Sequence, residues 1–157
     1  MKILLTGASG FIGGHILTAL VKSYGREPIT TLTSKEIPDI NCITYKSVQD
    51  FDLNKTNFDD ITHVIHAGAF IPKTSLQASD ISSCFENIEY TNELLSYDFN
   101  SLSKFINIST VDIYSSRNGG LSESSPIKPI SLYGSSKLYC EEMVKAFSEQ
   151  RDVNYIN

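Results

Sequence analysis

The chain has 157 residues and a formal net charge of −5, with 41% hydrophobic and 20% charged residues. One domain of this length and balance can bury a sizeable core, which excludes a disordered chain. The acidic charge and the lack of a Lys/Arg run argue against nucleic acid or an anionic membrane as partner, and no segment reaches the ~20 apolar residues of a membrane span. The three cysteines form no CxxC pair and, with the three histidines, no metal-ligand spacing. We therefore predict a protein of the reducing cytoplasm without disulfides or a bound metal.

Short apolar runs alternate with segments of helical period along the chain. Strands are predicted, in order, at KILLTG, PITTLTS, CITYKSV, around Val64 and Ile65, at KFINISTVDIY and at VNYIN. Helices are predicted for residues 11–25, 79–102 and about 134–150, and the polar segment 115–132 is predicted to be a long loop. Strands that alternate with helices predict an α/β fold whose parallel sheet is covered on both faces.

The last predicted strand lies at the very end of the sequence. The sixth predicted strand starts at Val153 and the sequence stops at Asn157, which would leave a sheet edge without cover. We therefore expect residues 1–157 to be an incomplete binding domain, the N-terminal part of a longer protein whose substrate domain is absent.

The first strand and helix are joined by TGASGFIG, which places Gly7, Gly10 and Gly13 at G-x-x-G-x-x-G spacing. Gly7 would allow a tight turn, Gly10 would let the backbone approach a pyrophosphate, and Gly13 would let the helix pack closely on the strand. Unpaired N–H groups at the helix start, with the helix dipole, favour bound phosphates. Because a strand precedes the turn and a helix follows it, the pattern predicts a dinucleotide site; the alternative is a plain glycine-rich turn.

With this turn, four later blocks resemble the extended short-chain dehydrogenases/reductases, particularly the NAD-dependent epimerase/dehydratase group that acts on nucleotide sugars. The blocks are THVIHAGA, ENIEYTNELL, FINISTVDIY and ESSPIKPISLYGSSKLYCEE, and they follow one another in family order. The resemblance implies a Rossmann-like doubly wound sheet with NAD or NADP as cofactor. It also implies a nucleotide-sugar substrate and a homodimer.

In that family Tyr133, Lys137 and Thr110 would form the catalytic group. Tyr133 would be the general acid/base on a sugar hydroxyl, although an unperturbed phenol has a pKa near ~10. Lys137 lies four residues on, hence on the same helix face, and its cation is expected to lower that pKa. The resemblance also implies that Lys137 holds the nicotinamide ribose and that Thr110 hydrogen-bonds the reacting oxygen.

The resemblance assigns further residues to the cofactor. These are Gly7, Ser9, Gly10, Phe11, Ile12, Gly13, Thr33, Ser34, Lys35, Ala67, Gly68, Ala69 and Asn87, together with Tyr133 and Lys137. For Asn87 and for His66 a structural role, pinning backbone or ending a strand, is at least as strong an interpretation as a chemical one. Asp50 and Asp52 both stand where the family often places an acidic residue near the adenine, and either or both are equally well explained as solvated charges.

Three positions depart from the family pattern. At the end of the second strand an NAD enzyme usually has a carboxylate for the ribose 2′-OH, whereas Lys35 here could meet a 2′-phosphate, so NADP is as tenable as NAD. The 4,6-dehydratases have an Asp-Glu pair directly after the residue that corresponds to Thr110. Here Val111 replaces the Asp, so that Asp112 is the only acidic residue of the pair, which counts against a dehydratase. Ser115 stands where a glycine is usual.

The first hypothesis is therefore an NAD(P)-dependent nucleotide-sugar epimerase, here as its cofactor-binding portion. The alternatives within the family are an NADPH-dependent keto-sugar reductase and a dehydratase; the alternative of another class is a non-catalytic dinucleotide sensor or scaffold. A homodimer would pack the helices around Asn87 and Lys137 against their copies. Four apolar residues could serve that surface or the core: Leu138, Met143, Val144 and Phe147.

Overall fold

The computed structural model describes residues 1–47, 56–114 and 120–157. Within these ranges lie six strands: β1 (Ile3–Thr6), β2 (Ile29–Thr33), β3 (Asn41–Thr44), β4 (His63–His66), β5 (Lys104–Asn107) and β6 (Asn154–Ile156). The helices are α1 (Phe11–Tyr24), α2 (Ile81–Leu95) and α3 (Leu132–Arg151), with 3₁₀ turns at Gln77–Ser79 and Val111–Ile113. All strand pairs are parallel and the order is β3-β2-β1-β4-β5-β6. This is the order of the Rossmann fold, so the predicted fold class is confirmed.

Neighbouring residues of β1 point to opposite faces of the sheet, and both faces are covered. Leu4 packs with Leu94 of α2 and Val144 of α3, whereas Leu5 packs with Leu17 of α1. Leu4 and Leu5 have no exposed surface. A strand buried on both sides explains why KILLTG is an unbroken apolar run.

The second helix is shorter than its sequence pattern predicts. α2 begins after Asp80, whose carboxylate accepts a hydrogen bond from the Ser83 N–H, and it ends at Leu95 instead of near residue 102. Beyond it Tyr97 and Phe99 are buried against Phe58. Burial of these two rings takes the chain out of the helical path, so tertiary packing overrides the local pattern.

The third helix starts two residues before its predicted position. The Ser131 hydroxyl accepts the Gly134 N–H at 3.0 Å and caps its first turn. The helix ends at Arg151, and β6 follows beside β5 as predicted. None of the helices in the described ranges is long and apolar enough to cross a membrane.

The strand register brings the carboxyl ends of the central strands together. Thr6, His66 and Asn107 are aligned across β1, β4 and β5. The segments that follow these three residues therefore lie side by side at one edge of the sheet, where open α/β folds bind their ligands.

Candidate active site

The turn after β1 is shaped by close contact between backbones. Gly7 has φ +68°, a conformation that favours glycine. A Cβ on Gly7 would lie 2.6 Å from the Cα of Gly68 in the loop after β4, and a Cβ on Gly13 would overlap the Gly7 carbonyl. The glycines therefore let two loops and the start of α1 meet without side chains between them.

A cleft of about 430 Å³ opens beside this turn. Its lining includes eleven of the predicted cofactor residues: Gly7, Ser9, Gly10, Phe11, Ile12, Gly13, Thr33, Ser34, Ala67, Gly68 and Ala69. Gly10 is the N-cap of α1 and supplies no side-chain cap, so the first-turn N–H groups are available to an anion.

Tyr45 and Ile71 also line this cleft, and sequence reasoning did not single them out. Tyr45 directly follows β3. The rule that ligands bind beyond the carboxyl ends of parallel strands would have drawn attention to this position.

The end of β2 is tied to the glycine turn. The hydroxyl of Thr33 donates to the Ser9 Oγ at 2.7 Å, and the Ser9 N–H donates to the Thr33 Oγ1 at 3.2 Å. Ser34 lines the cleft, whereas Lys35 is exposed and is not part of that lining. Asp50, Asp52 and Ser115 lie outside the described residues.

Tyr133 and Lys137 lie one turn apart near the start of α3, and both are buried, at 8% and 2% exposure. Tyr133 is hydrogen-bonded to Thr110. Gly134 makes this arrangement possible, because a Cβ there would lie 2.5 Å from the carbonyl oxygen of Asp112. The structure thus places Thr110 beside Tyr133 and Lys137 one helical turn further along α3.

The electrostatics of this group differ from the expectation. Burial raises the pKa of the Tyr133 phenol, the hydrogen bond with Thr110 lowers it in part, and Asp112 raises it further. Burial lowers the pKa of the Lys137 ammonium group, while Cys140 and Glu141 raise it. The expected net lowering of the Tyr133 pKa is therefore wrong for the structure as it stands, because loss of hydration outweighs the favourable contacts.

Asn87 lies behind the cleft, where it links the loop after β4 to α3. Its Oδ1 accepts the Phe70 N–H at 2.7 Å, and its Nδ2 donates to the Phe70 carbonyl at 3.4 Å and to the Ser136 Oγ at 3.2 Å. Only 2% of the residue is exposed, and it is not part of the cleft lining. Of the two interpretations, the contacts favour a structural role for Asn87.

His66 is buried as well. Burial, reinforced by the charge of Lys137, lowers the pKa of its imidazole to about 3. The ring is therefore neutral at physiological pH, and both ring nitrogens have hydrogen-bond partners within the fold.

Comparison with known proteins agrees with this geometry. A curated protein of Methanocaldococcus jannaschii, provisionally named UDP-glucose 4-epimerase, is 28% identical over an alignment of 169 positions that covers 98% of this chain and 53% of that protein. A solved variant of the Bacillus cereus UDP-glucuronic acid 4-epimerase, bound to NAD and a fluorinated UDP-sugar, is 25% identical with a TM-score of 0.73 and covers 99% of this chain and 55% of that one. TunA, an NAD-dependent NDP-hexosamine 5,6-dehydratase, is 26% identical with a TM-score of 0.72, and the match covers 94% of this chain and 50% of TunA.

These matches concern only part of each relative, since the chain spans about half the length of the curated relative it matches. The family model, in contrast, is matched along almost the whole chain, over residues 3–157, and its description is the NAD dependent epimerase/dehydratase family. The glycine-lined cleft, the Rossmann strand order and this match agree: the chain belongs to the NAD-dependent epimerase/dehydratase family.

Proposed function

We propose that the natural protein is an NAD(P)-dependent nucleotide-sugar epimerase and that this chain forms its cofactor-binding part. The observation that carries the proposal is the burial of Tyr133 and Lys137 one helical turn apart, with Thr110 near enough to Tyr133 to lower the pKa of its phenol. Burying an ammonium group and a phenol one helical turn apart is costly to fold, and such groups concentrate at functional sites.

The cleft suits a dinucleotide. Its floor is the bare backbone of Gly7 and Gly68, where a Cβ on Gly7 would overlap the opposite loop. The uncapped start of α1 would hold the phosphates, and Ser34 would face the adenosine ribose. NAD is the first candidate because the solved relatives contain or depend on it; NADP stays open because Lys35 follows Ser34.

When bound, the dinucleotide would supply reversible hydride exchange with a sugar carbon, the chemistry by which an epimerase inverts that carbon. Tyr133 takes the proton of the sugar hydroxyl and gives it back, while Thr110 donates to the reacting oxygen. Because burial raises the pKa of Tyr133, its phenol is protonated at neutral pH and must lose that proton before it can take the proton of the sugar hydroxyl. The base half of the cycle relies on the charge of Lys137 to stabilise the phenolate.

A dehydratase is the second candidate, supported by one relative and one contact. TunA is a dehydratase, and Asp112 lies close enough to Tyr133 to shift its pKa. The exposed Val111 beside it offers no second carboxylate, so we rank elimination below epimerisation.

The test supplies UDP-glucose, UDP-glucuronic acid and related sugars to the natural full-length protein with NAD. A 4-epimer formed without net change in NADH absorbance supports the proposal. Stoichiometric consumption of NADPH identifies a reductase, loss of water to a keto-deoxy sugar identifies a dehydratase, and tight NAD(P) binding without any turnover identifies a sensor.

We further propose that two copies associate through the outer face of α2 and α3. Val144 and Phe147 are buried in the core, which leaves them out of this surface. A different set of apolar side chains is exposed or half-exposed there: Ile81, Phe85, Ile88, Leu132, Tyr139 and Met143. Light scattering that finds a monomer of the full-length protein would contradict the proposal.

The cytoplasm is the compartment we propose. The three cysteines, Cys42, Cys84 and Cys140, are all free thiols in the structure, which suits a reducing environment.

A further inference from the structure

A buried chain of hydrogen bonds runs from the loop after β4 to α2, and His66 is its centre. The side chain is 1% exposed. Its Nδ1 lies 2.7 Å from the Thr6 Oγ1, and its Nε2 lies 3.2 Å from the Thr91 Oγ1. The rings of Tyr90 and Phe105 stand edge-on to it, with centroids 5.1 and 6.4 Å away.

The neighbouring bonds determine the direction of donation. The Thr91 hydroxyl donates its proton to the Asn87 carbonyl at 2.9 Å, so its oxygen can only accept from His66. We therefore assign the imidazole proton to Nε2, so that Nδ1 accepts the hydroxyl proton of Thr6. The Thr6 oxygen in turn accepts the Gly68 N–H at 2.9 Å. One neutral tautomer satisfies all of these groups, and the other would leave Nε2 without a donor.

Both ends of the chain of hydrogen bonds reach the proposed site. At one end, Gly68 touches the Gly7 backbone in the cleft floor, and a Cβ on Gly68 would overlap the Tyr90 ring. At the other end, the Asn87 amide donates to the Ser136 Oγ, and the Ser136 hydroxyl donates to the carbonyl of Tyr133 at 2.8 Å.

We infer that His66 is a positioning residue that couples the Gly68 loop of the cofactor cleft to the turn of α3 that carries Tyr133; this inference rests on the proposed function. The ring bridges Thr6 on β1 and Thr91 on α2, which no other described hydrogen bond joins. Breaking the bridge lets the cleft floor and the catalytic turn shift independently, so cofactor binding weakens although His66 does not line the cleft.

The test measures NAD binding by calorimetry on the natural full-length protein. His66→Gln keeps a donor for Thr91 but loses the acceptor for Thr6, and we expect it to weaken NAD binding roughly tenfold. His63→Gln is the matched control, because His63 lies at the other end of β4 and hydrogen-bonds Thr62. We expect this control to stay within about twofold of the wild type.

A second variant and a spectrum cover the case in which His66→Gln does not fold. Thr91→Val removes the acceptor of the Nε2 proton from α2, away from the cleft lining, and should weaken NAD binding by a similar factor. In ¹⁵N-histidine spectra, we expect His66 to be protonated on Nε2 and unprotonated on Nδ1, and both signals to move when NAD is added. A merely structural histidine would not respond to the cofactor.

The outcomes separate the two proposals. If the wild type does not bind NAD, the proposed function and this inference both fall. If the wild type binds NAD and the His66 and Thr91 variants bind it equally well, this inference alone is refuted. A proton found on Nδ1 of His66 would refute this inference in the same way.

Discussion

Acidification should destabilise the fold through His66 by a predictable amount. The imidazole is buried as the neutral base between Thr6 and Thr91, and its pKa in the folded protein is about 3. In the unfolded chain the same group titrates near its ordinary pKa of 6.5. Between these values the unfolded state binds a proton that the folded state does not, so the free energy of unfolding falls as the pH falls.

The size of the effect follows from the two pKa values. Each pH unit inside the window is worth about 1.4 kcal/mol, which gives about 2 kcal/mol between pH 7 and pH 5 and about 4 kcal/mol by pH 3. Above pH 6.5 the contribution is complete, and below about pH 3 it is lost. The charged group that faces the ring is Lys137, and its ammonium opposes protonation of His66 in the same direction as burial.

Urea denaturation of the wild type and of His66→Gln at pH 7 and pH 5 isolates this term, because carboxylates contribute equally to both proteins. We expect the wild type to lose about 2 kcal/mol more than the variant over this interval. His63→Gln, on the same strand, leaves His66 in place and should therefore keep the contribution of His66. Equal pH dependence of the wild type and His66→Gln would refute the reasoning, since it would mean that His66 titrates alike in the folded and unfolded states.

Three further changes test the site. Tyr133→Phe should lower kcat of the full-length protein by about 10²–10⁴-fold; a variant with unchanged kcat would remove Tyr133 from the chemistry. Gly134→Ala should lower both thermal stability and kcat, because its Cβ would meet the Asp112 carbonyl at 2.5 Å, whereas Gly14→Ala, whose Cβ has 3.6 Å to the nearest atom, should not be destabilising. Lys35→Ala should weaken NADP binding several-fold and leave NAD binding unchanged, and equal effects on the two cofactors would exclude a 2′-phosphate contact.

Much of the fold could be predicted because its signals are local. Residues close together in the chain produce the apolar run of β1, the glycine spacing and the helical period of α1. The alternation of strands and helices then predicts the parallel sheet. The length of α2 could not be predicted, since Tyr97 and Phe99 leave the helical path only to pack on Phe58, about forty residues away in the chain. A helical pattern carries no information about such a partner.

Some residues of the site could likewise be predicted from the sequence, and others could not. The glycine turn was predicted from its spacing, because a turn depends on neighbours in sequence. Tyr133 and Lys137 were predicted from the resemblance of their block to the family. Tyr45 was missed since its place in the cleft depends on where β3 ends. The structural role of Asn87 was left open until the structure placed Phe70 and Ser136 against its amide.

By itself the sequence determined the α/β class, the bare backbone of the glycine turn and the family to which the chain belongs, since each is written in short contiguous blocks. The tertiary structure alone decided the direction of the Tyr133 pKa and the tautomer of His66. Both depend on burial and on partners far along the chain, such as Thr6, which lies 60 residues from His66. Loss of hydration is a property of the packed molecule, and no sequence spacing records it.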